Sequence, residues 1–156
     1  MTVADESALR AVAGRLACLL QPPCLVALRG ELGTGKTAFT RGFVEALDGG
    51  SKACVSSPTY ALANTYPTRP VVHHVDLSRL DPATDLWDLG LAELMVDEAA
   101  LVCVEWPGDC IRRIRAARWV RVDLGMDASR RPCFRTVHFT FGPTWGPRPF
   151  AGLRAG

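Results

Sequence analysis

Five residues between Gly30 and Thr37 have the types and spacing to hold phosphate. The stretch LRGELGTGKTAFT (Leu28 to Thr40) contains G-x-x-x-x-G-K-[ST], filled by Gly30, Gly35, Lys36 and Thr37, with a further glycine at Gly33. That is the complete Walker A pattern. Glycines let successive backbone N–H groups turn toward a β-phosphate, and a helix opening at the loop adds its positive dipole end. Lys36 is placed to bridge β- and γ-phosphates, and Thr37 to put its hydroxyl on Mg²⁺. The competing reading is an ordinary glycine-rich turn with a solvated lysine; the segments on either side decide between them.

Two acids are the other candidates. AALVCVE (Ala99 to Glu105) is an almost unbroken apolar run ending in a carboxylate, the pattern of a buried parallel strand with its acid at the carboxyl edge, where ligands bind in such sheets. Glu105 there could hold Mg²⁺ directly or through water; the alternative is an exposed strand-end glutamate. Asp76 ends VVHHVD in the same manner, its alternative being a turn or helix-capping aspartate. His74 reads as a packed strand histidine and receives no role.

The elements that must position these groups follow from periodicity. CLVALR (Cys24 to Arg29), after Gln21-Pro22-Pro23, predicts a buried strand, and Phe39, Phe43, Val44 and Leu47 recur at helical spacing before Gly49-Gly50. Strand, glycine loop and helix stand in the order a nucleotide site requires. Leu9, Val12, Ala13, Leu16 and Leu20 mark an amphipathic first helix, with Thr2 and Asp5 as a capping box. A Ser/Pro/Thr turn and a short strand fall within 55–66, a second strand begins at Arg69, and DPATDLWDLGLAEL predicts a helix opening at Asp81. RWVRVDLGMDASRRPCFRTVHFTFGP reads as an antiparallel hairpin turning near Asp127 to Arg131. The expected class is α/β: a single P-loop NTPase domain over 1–142, with a mixed, mostly parallel sheet flanked by helices, and a Gly/Pro-rich mobile tail over 143–156.

Composition sets limits. The 156 residues suffice for one domain burying roughly 70% of its unfolded surface, which leaves no room for a second catalytic domain. No apolar run approaches the roughly 20 residues of a membrane span, and MTVADESALR lacks a signal peptide's regions, so the expected location is cytoplasmic. Cys18, Cys24, Cys54, Cys103, Cys110 and Cys133 show no C-x-x-C spacing and read as reduced thiols. A net charge of +2 does not identify a nucleic-acid binder, and Arg112, Arg113, Arg115, Arg118 and Arg121 read as a solvated face.

Taken together, GELGTGKT, SSPTYAL, HHVDLSRL and LVCVEWP resemble the bacterial TsaE (YjeE) family, the ATPase component of tRNA threonylcarbamoyladenosine biosynthesis, from roughly Ala8 to Gly142. The resemblance implies that Leu32, Gly33, Thr34, Gly35, Lys36 and Thr37 wrap the phosphates of ATP. It places Thr37 and Glu105 on Mg²⁺, Asp76 at the switch or catalytic acid position, Ser57 to Tyr60 in a mobile switch loop, and Trp106 beside the cleft. It also implies partners: a glycoprotease-like threonylcarbamoyl transferase subunit and its inactive paralogue (TsaD and TsaB type), with tRNA met only through that assembly. Glu31 stands where the family pattern has aspartate, Ser78 where it has tyrosine, and Leu9 where many relatives have threonine. Two other classes share the loop. A small-molecule P-loop kinase needs an acceptor pocket and usually an arginine-bearing lid; a non-hydrolysing nucleotide-dependent scaffold would be indifferent to changes at Asp76.

Overall fold

The computed structural model describes residues 1–114, 116, 118–127, 129 and 134–145. Arg115, Cys133, most of the predicted turn before β7 and the tail from Gly146 onward lie outside the described residues. Seven strands form one sheet in the order β1-β7-β6-β2-β5-β4-β3. Its centre is parallel: β6 (Trp119–Met126), β2 (Cys24–Arg29), β5 (Ala100–Glu105) and β4 (Val71–Asp76). Antiparallel strands close both flanks, β3 (Ala63–Tyr66) on β4, and β7 (Arg135–Phe141) on β6, with β1 (Thr2–Val3) outside it. The mixed α/β architecture expected from the sequence is therefore present.

Alternation on the central strands creates two apolar layers, as expected of strands covered on both faces. Val26 and Leu28 of β2 and Leu101 and Cys103 of β5 face helices α1 (Glu6–Leu19) and α2 (Lys36–Glu45), where Leu9, Leu16, Phe39 and Phe43 are fully buried. Leu25, Ala27, Val102 and Val104 face the short helices α3 (Leu91–Met95) and α4 (Cys110–Arg113). The pair α1 and α2 packs closely because Gly42 lies against the α1 backbone: a Cβ there would sit 2.5 Å from the Arg10 Cα.

Three expectations change. The N-cap of α1 is Asp5, whose Oδ1 accepts from Ala8 N at 2.8 Å, while Thr2 sits in β1 and pairs with Thr136; no capping box forms, because Ala8 at the third helical position has no side-chain acceptor. No helix opens at Asp81. The Asp81 and Asp85 carboxylates take the amides of Ala83 and Trp87, and Arg113 donates to the Pro82 carbonyl oxygen, so the segment runs as turns until Gly90, at φ 68, starts the five-residue α3. Helix α2 ends at Glu45, before the two glycines; Gly50 belongs to a following turn where a Cβ would sit 1.8 Å from the Val44 carbonyl oxygen. At the other end of the chain, packing continues past Gly142: Trp145 Nε1 donates to the Trp119 carbonyl oxygen at 2.9 Å.

Candidate nucleotide site

The loop between β2 and α2 is built from left-handed glycines. Gly33 and Gly35 have φ 81 and 103, and a Cβ on Gly30 would meet the Leu124 carbonyl oxygen at 2.4 Å, so larger residues would distort the turn. Leu32 forms the exposed crest, whereas Thr34 is buried, its hydroxyl donating to the Glu31 carbonyl oxygen at 2.9 Å. Arg135 braces the loop from β7 through Nε to the Thr34 carbonyl oxygen, 3.0 Å away. Leu9 of α1 packs against Gly35.

Lys36 opens α2 and is 4% exposed. Its Nζ donates to the Gly30 and Glu31 carbonyl oxygens at 2.7 and 2.9 Å and lies 3.9 Å from the centre of the Trp106 ring. Burial lowers its pKa, against the opposing pull of Glu105, Asp76 and Glu31. Trp106 occupies the left-handed region at φ 54, a conformation that costs a non-glycine residue about 1–3 kcal/mol. The cation–π contact to Lys36 lies on that strained residue.

Glu105 is buried at 3% exposure, which removes the exposed strand-end reading. Its Oε1 accepts from the Thr37 hydroxyl at 2.8 Å and from His74 Nε2 at 2.9 Å. Beside it in register on the neighbouring strand stands Asp76, 2% exposed. Asp76 Oδ2 accepts from Thr59 at 2.7 Å and Ser57 at 3.0 Å, and Oδ1 from the Ser78 amide at 2.9 Å. Burial alone would raise the Asp76 carboxyl; the bonds from Thr59, Ser78 and Ser57 outweigh it and hold the pKa below the usual aspartate value. The loop carrying Ser57 and Thr59 is thereby fastened to the acid, and its Tyr60, 90% exposed, carries the Arg79 guanidinium 4.9 Å above its ring.

Thr37, Glu105, Lys36 and Asp76 thus converge at the carboxyl end of the parallel strands, next to the glycine loop. His74 joins them through Glu105. Its one sequence signal is the H-x-D spacing, which puts His74 and Asp76 on the same face of β4. Among the described residues no group of three or more His, Cys, Asp or Glu side chains forms an all-protein metal cage. The Thr37–Glu105 oxygen pair instead suits a small hard cation that keeps several waters and shares phosphate oxygens.

Two clefts flank Trp106. One, of about 340 Å³, is lined by Arg29, Gly30, Glu31, Trp106, Pro107 and Gly108. The other, of about 280 Å³, has apolar walls that include Leu77, Leu80 and Leu86, with Asp81 and Asp109 at its polar side. Arg29 lines the first cleft and Arg113 the second. Arg112 pairs with Asp109, Arg113 reaches Pro82, Arg118 covers Trp145 and Arg121 pairs with Asp123. Among the described cysteines all five are free thiols, and burial pushes Cys24 and Cys110 up to about 12. No described helix is long and apolar enough to cross a membrane.

The family model for threonylcarbamoyl adenosine biosynthesis protein TsaE matches residues 3–132. The tRNA threonylcarbamoyladenosine biosynthesis protein TsaE of Rickettsia felis is 31% identical over 131 residues, covering 83% of this chain and 74% of that protein. The protein of the same name from Streptomyces coelicolor is 41% identical over 102 residues, 63% of this chain and 66% of its own length. In three dimensions the chain is similar to the crystal structure of YdiB from Bacillus subtilis. The TM-score is 0.68 at 22% sequence identity, covering 90% of this chain and 83% of that one, a likeness that speaks for the fold.

Proposed function

The chain belongs to the TsaE family of threonylcarbamoyl adenosine biosynthesis proteins, and from that premise we propose that it binds and hydrolyses ATP within the assembly that puts threonylcarbamoyl on adenosine 37 of tRNAs reading codons that begin with adenosine. Its partners in this reading are a glycoprotease-like transferase subunit and that subunit's inactive paralogue, tRNA is met through them, the setting is cytoplasmic, and hydrolysis resets the assembly. The observation that carries the proposal is the hydrogen bond from Thr37 to a buried Glu105 at the mouth of the glycine loop, with Asp76 in register beside it.

The chain's own groups divide the work. Amides from Leu32 to Thr37 and the N-terminus of α2 would receive the phosphates of ATP. Lys36, held on two loop carbonyls, exchanges those neutral acceptors for charged phosphate oxygens, a stronger partner for an ammonium. Thr37 and Glu105 would hold Mg²⁺, which supplies neutralisation of charge on the phosphates. Asp76 would orient the attacking water. Its Oδ2 is engaged by Thr59 and Ser57, so a shift of that loop would free this oxygen to accept from water. Turnover is therefore coupled to whatever moves the Ser57–Tyr60 loop, and the partner subunits are the natural agent.

A second reading has one observation in its favour. The cleft of about 280 Å³ beside Trp106 offers room for a small phosphoryl acceptor, as a P-loop kinase would need. ATPase assays with and without the partner subunits and tRNA, using ATP labelled on the γ-phosphate, separate the two. The proposed function predicts slow release of free phosphate by the chain alone and faster release in the assembly. Label appearing on a metabolite would favour the kinase.

A further inference from the structure

His74 touches the site at 0% exposure, and no step of the ATP chemistry uses it. Its backbone is fixed on both sides by inner-strand pairing, to Asn64 of β3 and Cys103 of β5. The ring Nε2 lies 2.9 Å from Glu105 Oε1, the oxygen that also accepts from Thr37. An ionised carboxylate only accepts hydrogen bonds, so this contact requires a hydrogen on Nε2. The other nitrogen, Nδ1, is buried and has no hydrogen-bond partner among the described residues. The ring donor that meets Glu105 is therefore Nε2–H, presented from the neighbouring strand.

Resting on the ATP and Mg²⁺ reading, we propose that His74 is a positioning residue that fixes the Glu105 carboxylate for the metal. A donor on a strand paired on both sides suits that role, because its position is fixed before any cation arrives. With His74 holding Oε1 from the strand side, Thr37 can keep its bond to Glu105 while its hydroxyl lone pairs remain available to an ion. Outer partners of metal ligands commonly act in this way, and their loss costs about 10- to 100-fold in metal affinity.

The test pairs two polar substitutions. In His74→Gln the side-chain amide nitrogen stands the same number of bonds from the backbone as Nε2; in His74→Asn it stands where Nδ1 was, out of reach of Glu105. Binding of Mn²⁺, used as a paramagnetic stand-in for Mg²⁺, is followed by electron paramagnetic resonance in the presence of adenylyl imidodiphosphate. Affinity for that nucleotide analogue in EDTA is measured separately. The expected result is Mn²⁺ binding weakened about 10- to 100-fold in His74→Asn and largely restored in His74→Gln, with metal-free nucleotide affinity unchanged in both. Wild-type Mn²⁺ affinity in His74→Asn, or equal loss in both variants, would overturn the assignment of His74 alone. Wild-type protein that took up no analogue under any condition would overturn the nucleotide reading and this proposal with it.

Discussion

The Thr59 hydroxyl lies 2.7 Å from Oδ2 of Asp76, and Ser57 reaches the same oxygen at 3.0 Å. A surface loop is thereby fastened to a buried acid at the edge of the sheet. Together with the Ser78 amide, the two hydroxyls hold the Asp76 carboxyl below the usual aspartate range despite its burial, and they occupy Oδ2. In the proposed function, a shift of that loop would free this oxygen for water.

Thr59→Val should lower stability at pH 7 toward the low end of about 1.5–3 kcal/mol, the range for a hydrogen bond to a charged group, since Ser57 still reaches Asp76. The folded-state pKa of Asp76 lies below its unfolded value. The associated stability is thus fully present above the usual aspartate pKa of about 3.9 and is lost as pH falls through the lower folded value. Urea unfolding across that range should show wild type and variant converging in acid. A gap that stays constant with pH would contradict the charged-acceptor explanation.

Lys36→Ala removes an ammonium poised on the glycine loop. ATP affinity should fall by roughly 10- to 150-fold, the equivalent of one charge-assisted hydrogen bond. Isothermal titration of the folded variant checks this; unchanged affinity would take the phosphate site away from this loop.

Glu105→Gln and Asp76→Asn should fail differently. The first should weaken the Mg²⁺ dependence of ATP binding by at least about tenfold. The second should spare binding and slow hydrolysis by on the order of 10²- to 10⁴-fold, because a group that positions water acts in the transition state. Binding titrations and single-turnover rates on both variants separate the roles, and Asp76→Asn hydrolysing at the wild-type rate would remove Asp76 from catalysis.

Trp106 reports on Lys36. The ammonium is 3.9 Å from the ring centre, so drawing Lys36 onto phosphate should change tryptophan emission when ATP is added. That change should be absent in Trp106→Phe, although three other tryptophans remain of the four in the chain. An undiminished signal in Trp106→Phe would place the reporter elsewhere.

Much of the site could be read from local pattern. Gly30, Gly35, Lys36 and Thr37 declare themselves by spacing, and Asp76 and Glu105 by ending apolar runs that become adjacent parallel strands. The contacts that tune these residues were not legible, because they join positions far apart in the chain. His74 meets Glu105 across 31 residues, and Thr59 meets Asp76 across 17; no periodicity encodes either. Strand β1 is not legible in the sequence, because two residues carry no alternation. The helix expected at Asp81 was lost to competition. Asp81 and Asp85 bind nearby amides that a helix would have needed, although the apolar spacing of the segment reads as helical.

The most direct test of the central claim is the amount of threonylcarbamoyladenosine in digested tRNA, measured by mass spectrometry. The cells to compare are depleted of this protein and resupplied with either the wild-type chain or Asp76→Asn. Depletion should remove the modified nucleoside, the wild-type chain should restore it, and Asp76→Asn, expected to bind ATP without hydrolysing it, should not. Normal modification in depleted cells, or full restoration by Asp76→Asn, would contradict a role that depends on ATP hydrolysis.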